Sequence, residues 1–171
     1  MDFFEATDKR RSVRAFRAAP VEEAKLQQVL AAANQAPSAG NLQAYEIYLV
    51  RRPEQRRELA RAALSQEFIA QASLALVFCA HPARSQPRYR ERGASLYAVQ
   101  DATIACTFAM LAATALGLGS VWVGAFDEAG VRRVIGVKDD LRPVAILPLG
   151  YAAERPETRS RRALDEMVHE V

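Results

Sequence analysis

The sequence predicts a single α+β domain. Segments with apolar residues at helical spacing alternate with short runs rich in β-branched and aromatic residues. One of those runs, Leu74 to Ala80, is apolar at every position, as a strand covered on both faces must be. The 171 residues contain no internal repeat and no linker, so one unit spanning 1–171 accounts for the chain.

The elements follow in order. Asp2 is placed to cap a first helix running to about Lys9. After Pro20, residues 21–35 carry Leu26, Val29, Leu30 and Ala33 at helical spacing, and Pro37 stops that helix. The stretch Pro37-Ser38-Ala39-Gly40-Asn41-Leu42-Gln43 reads as a loop of small and polar residues leading into a strand at 45–50. Residues 53–64 form a helix that is basic on its exposed side. Beyond the apolar strand, residues 81–93 are rich in Pro, Arg and Ser and read as a mobile surface excursion. The longest helix runs from about Ser95 to Leu116 and is apolar nearly all round its middle, which places it at the centre of the fold. Gly117 supplies a left-handed end for it. A third strand is expected at 120–123, then a short helix capped by Asp127 and closed by Gly136, then a fourth strand at 143–149. The charged tail, 152–171, is too apolar at Leu164, Met167 and Val168 to be simple disorder.

Composition narrows the function. Half the residues are hydrophobic and a quarter charged, as in soluble globular proteins. The net charge is only +3 although 20 of the 23 basic residues are arginine, which is no nucleic-acid footprint. Cys79 and Cys106 sit inside apolar runs, and His81 and His169 stand far apart, so neither a metal site nor a redox pair is expected. The N-terminus mixes acids and bases among its apolar residues, unlike a signal peptide. Gln100, Asp101 and several threonines mark the long helix as a core helix rather than a membrane span. A cytoplasmic protein with no membrane and no nucleic-acid partner is the expectation.

One short stretch stands out chemically. Arg10-Arg11-Ser12-Val13-Arg14 places three guanidiniums and a hydroxyl within five positions. Guanidinium forks match phosphate oxygens, so such a cluster can hold a dianionic phosphate. By itself a short basic run fits a solvated surface equally well.

Several segments together carry a resemblance. They are residues 10–16, the loop from Ala36 to Gln43, Gln100-Asp101-Ala102, the run from Leu116 to Phe126, Leu147-Pro148-Leu149-Gly150-Tyr151, and the terminal stretch from Arg161 to His169. In this order and spacing the chain resembles the FMN-dependent nitroreductase family in its short form. The resemblance implies a central mixed sheet of four to five strands flanked by helices, in a homodimer with FMN at the interface. It implies that Arg10 and Ser12 bind the flavin phosphate and ribityl chain, with Arg11 and Arg14 beside them, and that Arg159 and Arg161 close over the same phosphate from the tail. Pro37, Ser38, Asn41 and Gln43 match the loop that serves the pyrimidine edge from the other subunit. Val123, Gly124 and Ala125 match the segment lying against flavin N5, where glycine permits close backbone approach.

The activity so implied is an FMN-dependent NAD(P)H oxidoreductase, passing hydride from NADH or NADPH to flavin N5 and on to a small-molecule electron acceptor such as a nitroaromatic or quinone. With the flavin performing the chemistry, no catalytic side chain and no metal are expected. The alternative is a flavin-binding protein without reductase turnover, a carrier or sensor. Several residues keep a plainer reading. Gly117 and Gly119 also serve to end a helix and start a strand, Ser38 and Asn41 to form a turn, Trp122 to fill core, and Asp101 to partner the helix bundle. The arginines of 84–92 are either solvated or placed to meet the phosphate of a nicotinamide cofactor. Two departures from the family pattern are Ala44-Tyr45 where the family commonly has Pro-Trp, and a short region between the second and third strands that leaves the site more open.

Overall fold

The computed structural model describes all 171 residues. Helix α1 spans Phe3–Lys9, with the Asp2 carboxylate accepting from the Glu5 N–H at 2.8 Å. Helix α2 spans Glu23–Asn34, and strand β1 spans Tyr45–Val50. Helix α3, Pro53–Ala62, is followed by a single helical turn, α4, Phe68–Gln71, that no sequence signal marked. Strand β2 spans Leu74–Ala80 and is buried throughout. Helix α5, Pro82–Arg92, passes through a π-type turn, Gly93–Tyr97, into the long helix α6, Ala98–Ala115. Strand β3 is only Gly119–Ser120; helix α7 spans Glu128–Ile135 and strand β4 Arg142–Gly150.

The sheet order is β1-β2-β4-β3, with every neighbouring pair antiparallel. The mixed character expected of the sheet comes down to one parallel bridge, Ser12 to Ser120, which adds the N-terminal segment as a rudimentary fifth strand. The third strand is also shorter than its β-branched sequence indicates. The chain leaves the ladder after Ser120 and returns at Val123, which bridges to Ile146.

Alternation along the strands builds two cores. Leu74, Leu76, Phe78 and Ala80 of β2 face α2 and α6, together with Ala145, Leu147 and Leu149 of β4. Ala75, Val77 and Cys79 face the other way, toward Leu59 and Ala60 of α3, Ile69 and Val131. Helix α6 buries Ala98, Ala102, Ala105, Ala109 and Ala113. The helical run Pro82–Ala115 has the length and apolarity of a membrane span, yet those alanines lie in the core shared by α2 and the sheet.

The segment 81–93 is a helix rather than the expected loop. Pro82 sits in the first turn, where a missing N–H costs nothing, and arginine favours helix. The helix contains Pro87 and breaks at Arg90, whose φ of 52° and ψ of −140° turn the chain into α6.

Candidate functional site

The N-terminal cluster is shaped by two buried side chains. Val13 and Phe16 pack with Ala72, while the Val13 N–H donates to the Ser120 carbonyl at 3.0 Å and the Arg17 N–H to that of Tyr151 at 2.8 Å. The extended backbone between them alternates, leaving Arg14 exposed and Arg10, Arg11 and Ser12 half-buried. The tail then folds back over this segment. Glu154 accepts from the backbone N–H groups of Arg14, at 2.5 Å, and Ala15, at 3.1 Å. Arg11 Nη2 donates to Thr158 Oγ1 at 2.8 Å.

The result is a cavity of about 670 Å³ into which Arg10, Arg11, Ser12 and Arg14 enter from one end of the chain and Arg159 and Arg161 from the other. Asp8, Glu154 and Glu157 also line it, but Arg10, Arg11, Arg159 and Arg161 make no ion pair with any carboxylate. Arg10 feels this most. Burial, then the neighbouring charges of Arg161 and Arg11, lower its pKa by disfavouring the protonated form. Three guanidiniums crowd one another and none is ion-paired to the carboxylates that share the cavity, an arrangement that a dianionic group relieves.

A second cavity, about 490 Å³, opens between the 37–39 backbone and α6, lined by Pro37, Ser38, Ala39, Tyr97, Gln100, Asp101, Thr103 and Ile104. Its loop is shaped by one buried carboxylate. Asp101, in the first turn of α6, accepts from the N–H groups of Ala39 at 2.9 Å and Ala44 at 3.2 Å. Ser38 Oγ accepts from the Gln43 N–H at 3.0 Å, which leaves its own proton free to donate outward. Gly40, Asn41 and Gln43 all adopt positive φ, 59°, 57° and 48°. Asn41 and Gln43 do not line the cavity, and Gln43 Nε2 donates to Asn41 Oδ1 at 3.2 Å.

Val123, Gly124 and Ala125 enter neither cavity. Val123 is locked to Ile146 by bonds of 3.0 and 2.9 Å, whereas the N–H groups of Gly124 and Ala125 have no partner within the chain. Trp122 is half-buried against the α6-side core, and its Nε1 lies 3.3 Å from where a Cβ on Gly124 would be. The two cavities share no residue. Residues missed from sequence are Thr7, Asp8, Glu154, Pro156, Glu157 and Thr158 at the first cavity and, at the second, Tyr97, Thr103 and Ile104 among others. Glu154, three positions past Gly150-Tyr151, was within reach of the motif, but nothing local marks its docking onto Arg14.

Both cysteines are buried and free, and burial raises the Cys79 thiol to about 12 and Cys106 further still. No cluster of metal-ligating side chains exists.

The chain thus presents an antiparallel sheet covered by helices on both faces, with a basic cleft assembled from both chain ends. NADPH:FMN oxidoreductase from Vibrio harveyi, solved in complex with NAD+, superposes with a TM-score of 0.90 at 28% identity, covering 98% of this chain and 76% of that one. In sequence, an NADH dehydrogenase of Thermus thermophilus is 32% identical over 98% of this chain and 95% of its own length. A putative NADH dehydrogenase/NAD(P)H nitroreductase of Methanothermobacter thermautotrophicus is 31% identical over 93% and 82%. The nitroreductase family model matches residues 7–151. The chain belongs to the nitroreductase family and is an oxidoreductase.

Proposed function

We propose that this chain is an FMN-dependent NAD(P)H oxidoreductase that works as a homodimer and delivers electrons to small acceptors such as nitroaromatics or quinones. The observation that carries this reading is the cavity in which residues 10–14 and 159–161 meet with unpaired guanidiniums. Its donor set suits a flavin phosphate: several cations, the Ser12 and Thr158 hydroxyls, and no apolar floor.

Bound FMN would supply the redox chemistry, taking hydride at N5 from NADH or NADPH and passing it to the acceptor. The chain's own residues bind and orient. Arg10, Ser12 and Arg161 hold the phosphate, with Arg11, Arg14 and Arg159 around them. Pro37 and Ser38 line the second cavity, where the free proton of Ser38 would be available to the flavin's pyrimidine edge. Asn41 and Gln43 extend the same loop. The unpartnered N–H groups of Gly124 and Ala125 are the available backbone donors for N5, and Val123, tied to β4, fixes their position.

That the phosphate cavity and the loop cavity have no residue in common supports a cofactor lying between two copies of the chain, with one end held by each. Helix α6 and the tail support the same reading, since Phe108, Leu164 and Val168 are exposed apolar side chains in need of a cover. The test is direct. Purified protein, or protein incubated with FMN, is expected to show a flavin absorbance band that bleaches on addition of NADPH or NADH. A chain that takes up no flavin overturns the reading; one that binds flavin without bleaching is a carrier. Arg10→Ala removes a charge-assisted contact and is expected to weaken FMN binding by about 1.5–3 kcal/mol, read in a flavin fluorescence titration.

A further inference from the structure

Beside the second cavity the structure holds a cationic rim that the flavin reading does not use. Arg88 and Arg92 come from the last two turns of α5. Arg88 Nη1 donates to the Gly40 carbonyl at 3.4 Å, and its guanidinium lies 5.3 Å over the Tyr89 ring. Arg92 Nε donates to Tyr97 Oη at 3.0 Å and lies 5.5 Å over the Tyr97 ring. The two rings meet edge to face at 5.1 Å, and Tyr97 itself lines the cavity.

This rim differs from an ordinary solvated helix face in three ways. First, neither arginine has a carboxylate partner, although Arg84 of the same helix pairs with Glu46 at 3.0 Å. Second, each guanidinium is already oriented by a ring and one hydrogen bond, so little ordering remains to be done when a ligand arrives. Third, the rim is packed onto the loop. A Cβ on Gly40 would stand 2.5 Å from Tyr89 Oη and 2.8 Å from Arg88 Nη1, so both side-chain ends lie close against the loop backbone. Two oriented cations with free N–H groups, on an aromatic pair of which Tyr97 lines the cavity, suit a phosphate on a ligand that also carries a ring.

We propose that Arg88 and Arg92 bind a phosphate of the reduced nicotinamide dinucleotide, beside Tyr97 and outside the cavity given above to the flavin. The inference rests on the oxidoreductase reading above and adds to it the residues that recognise the electron donor. A dinucleotide offers this chemistry from two sources, the 2′-phosphate of NADPH and the pyrophosphate common to NADPH and NADH.

The experiment uses the flavin-loaded dimer of the wild type, Arg88→Ala, Arg92→Ala, the double variant, and the lysine replacements. Binding of 2′,5′-ADP, ADP and adenosine is measured by calorimetry. In parallel, the rate of flavin bleaching is followed against NADPH and NADH concentration. The alanine variants are expected to bind the anionic probe about tenfold or more weakly and to need correspondingly more nicotinamide for half-maximal bleaching, with lysine restoring part of the loss. Loss confined to 2′,5′-ADP and NADPH assigns the 2′-phosphate; loss with ADP and with both nicotinamides assigns the pyrophosphate. Arg84→Ala, whose guanidinium is paired, is expected to leave all of these unchanged. Wild-type affinity for every probe in the double variant overturns the proposal, as does a change confined to the KM of a nitrobenzoate acceptor. Because flavin content and dithionite reduction are measured on the same samples, failure of the flavin reading is seen separately from failure of the rim.

Discussion

Asp101 is an acceptor for two backbone N–H groups, from Ala39 and Ala44, while itself only 2% exposed. Removing it strands at least one buried donor, so Asp101→Ala is expected to lower stability by about 1–3 kcal/mol. In a domain of this size that corresponds to a fall in Tm of about 2–4 °C for each kcal/mol, measurable by thermal unfolding with FMN absent. The cysteines make a second residue-level test. Burial raises both thiols, Cys79 to about 12, whereas in the unfolded chain they ionise near 9. The folded state therefore holds protons that the unfolded state releases. The stabilisation is complete below about pH 9 and is lost as pH rises toward 12. Neither thiol is expected to react with a disulfide reagent at pH 8 until the protein is unfolded, when both should. Sequence alone gave Asp101 a structural role, because a carboxylate in an apolar helix needs donors. Which donors, 57 and 62 residues away, was not legible.

At the scale of elements, caps and punctuation were the readable part. Asp127 accepts from Ala129 at 3.2 Å and Gly130 at 3.0 Å, and Gly136 closes α7 with φ of 70°. Asp127→Ala is expected to cost about 1 kcal/mol, read as a shift in urea midpoint without change in slope. Strands β1 and β2 fell where their apolar and β-branched runs placed them, because burial on a pleated face leaves a local record. Helix α5 did not. Its prolines and arginines spell a loop by composition, and only packing against the turn at Gly93 shows that Pro82 starts a helix and Pro87 is carried within one. β3 shows the opposite failure. Val121 and Val123 have strand character, yet the ladder with β4 holds only Gly119 and Ser120.

On the scale of the whole molecule, the proposed dimer makes a prediction of its own. Phe3 and Phe4 on α1 are 63% and 80% exposed, and Phe108 of α6 is 37% exposed. Phe108→Glu is expected to shift the protein to a monomer in analytical ultracentrifugation and to reduce FMN retention with it. A dimer that persists with full flavin would place the seam elsewhere. The cationic cavity explains why the tail matters although it is almost wholly exposed: Glu154 and Thr158 anchor it to residues 11–15, and Arg159 and Arg161 ride on that anchorage.

By itself the sequence determined the α+β class, most element positions, the caps, and the clustering of arginines near the N-terminus, since hydropathy period and side-chain type act locally. Only the tertiary structure decided that Arg10 and Arg161 share one cavity, that Asp101 holds the loop, and that Arg88 reaches that loop at Gly40. Those are contacts between residues far apart in the chain, and no local pattern encodes a distance that only the fold closes.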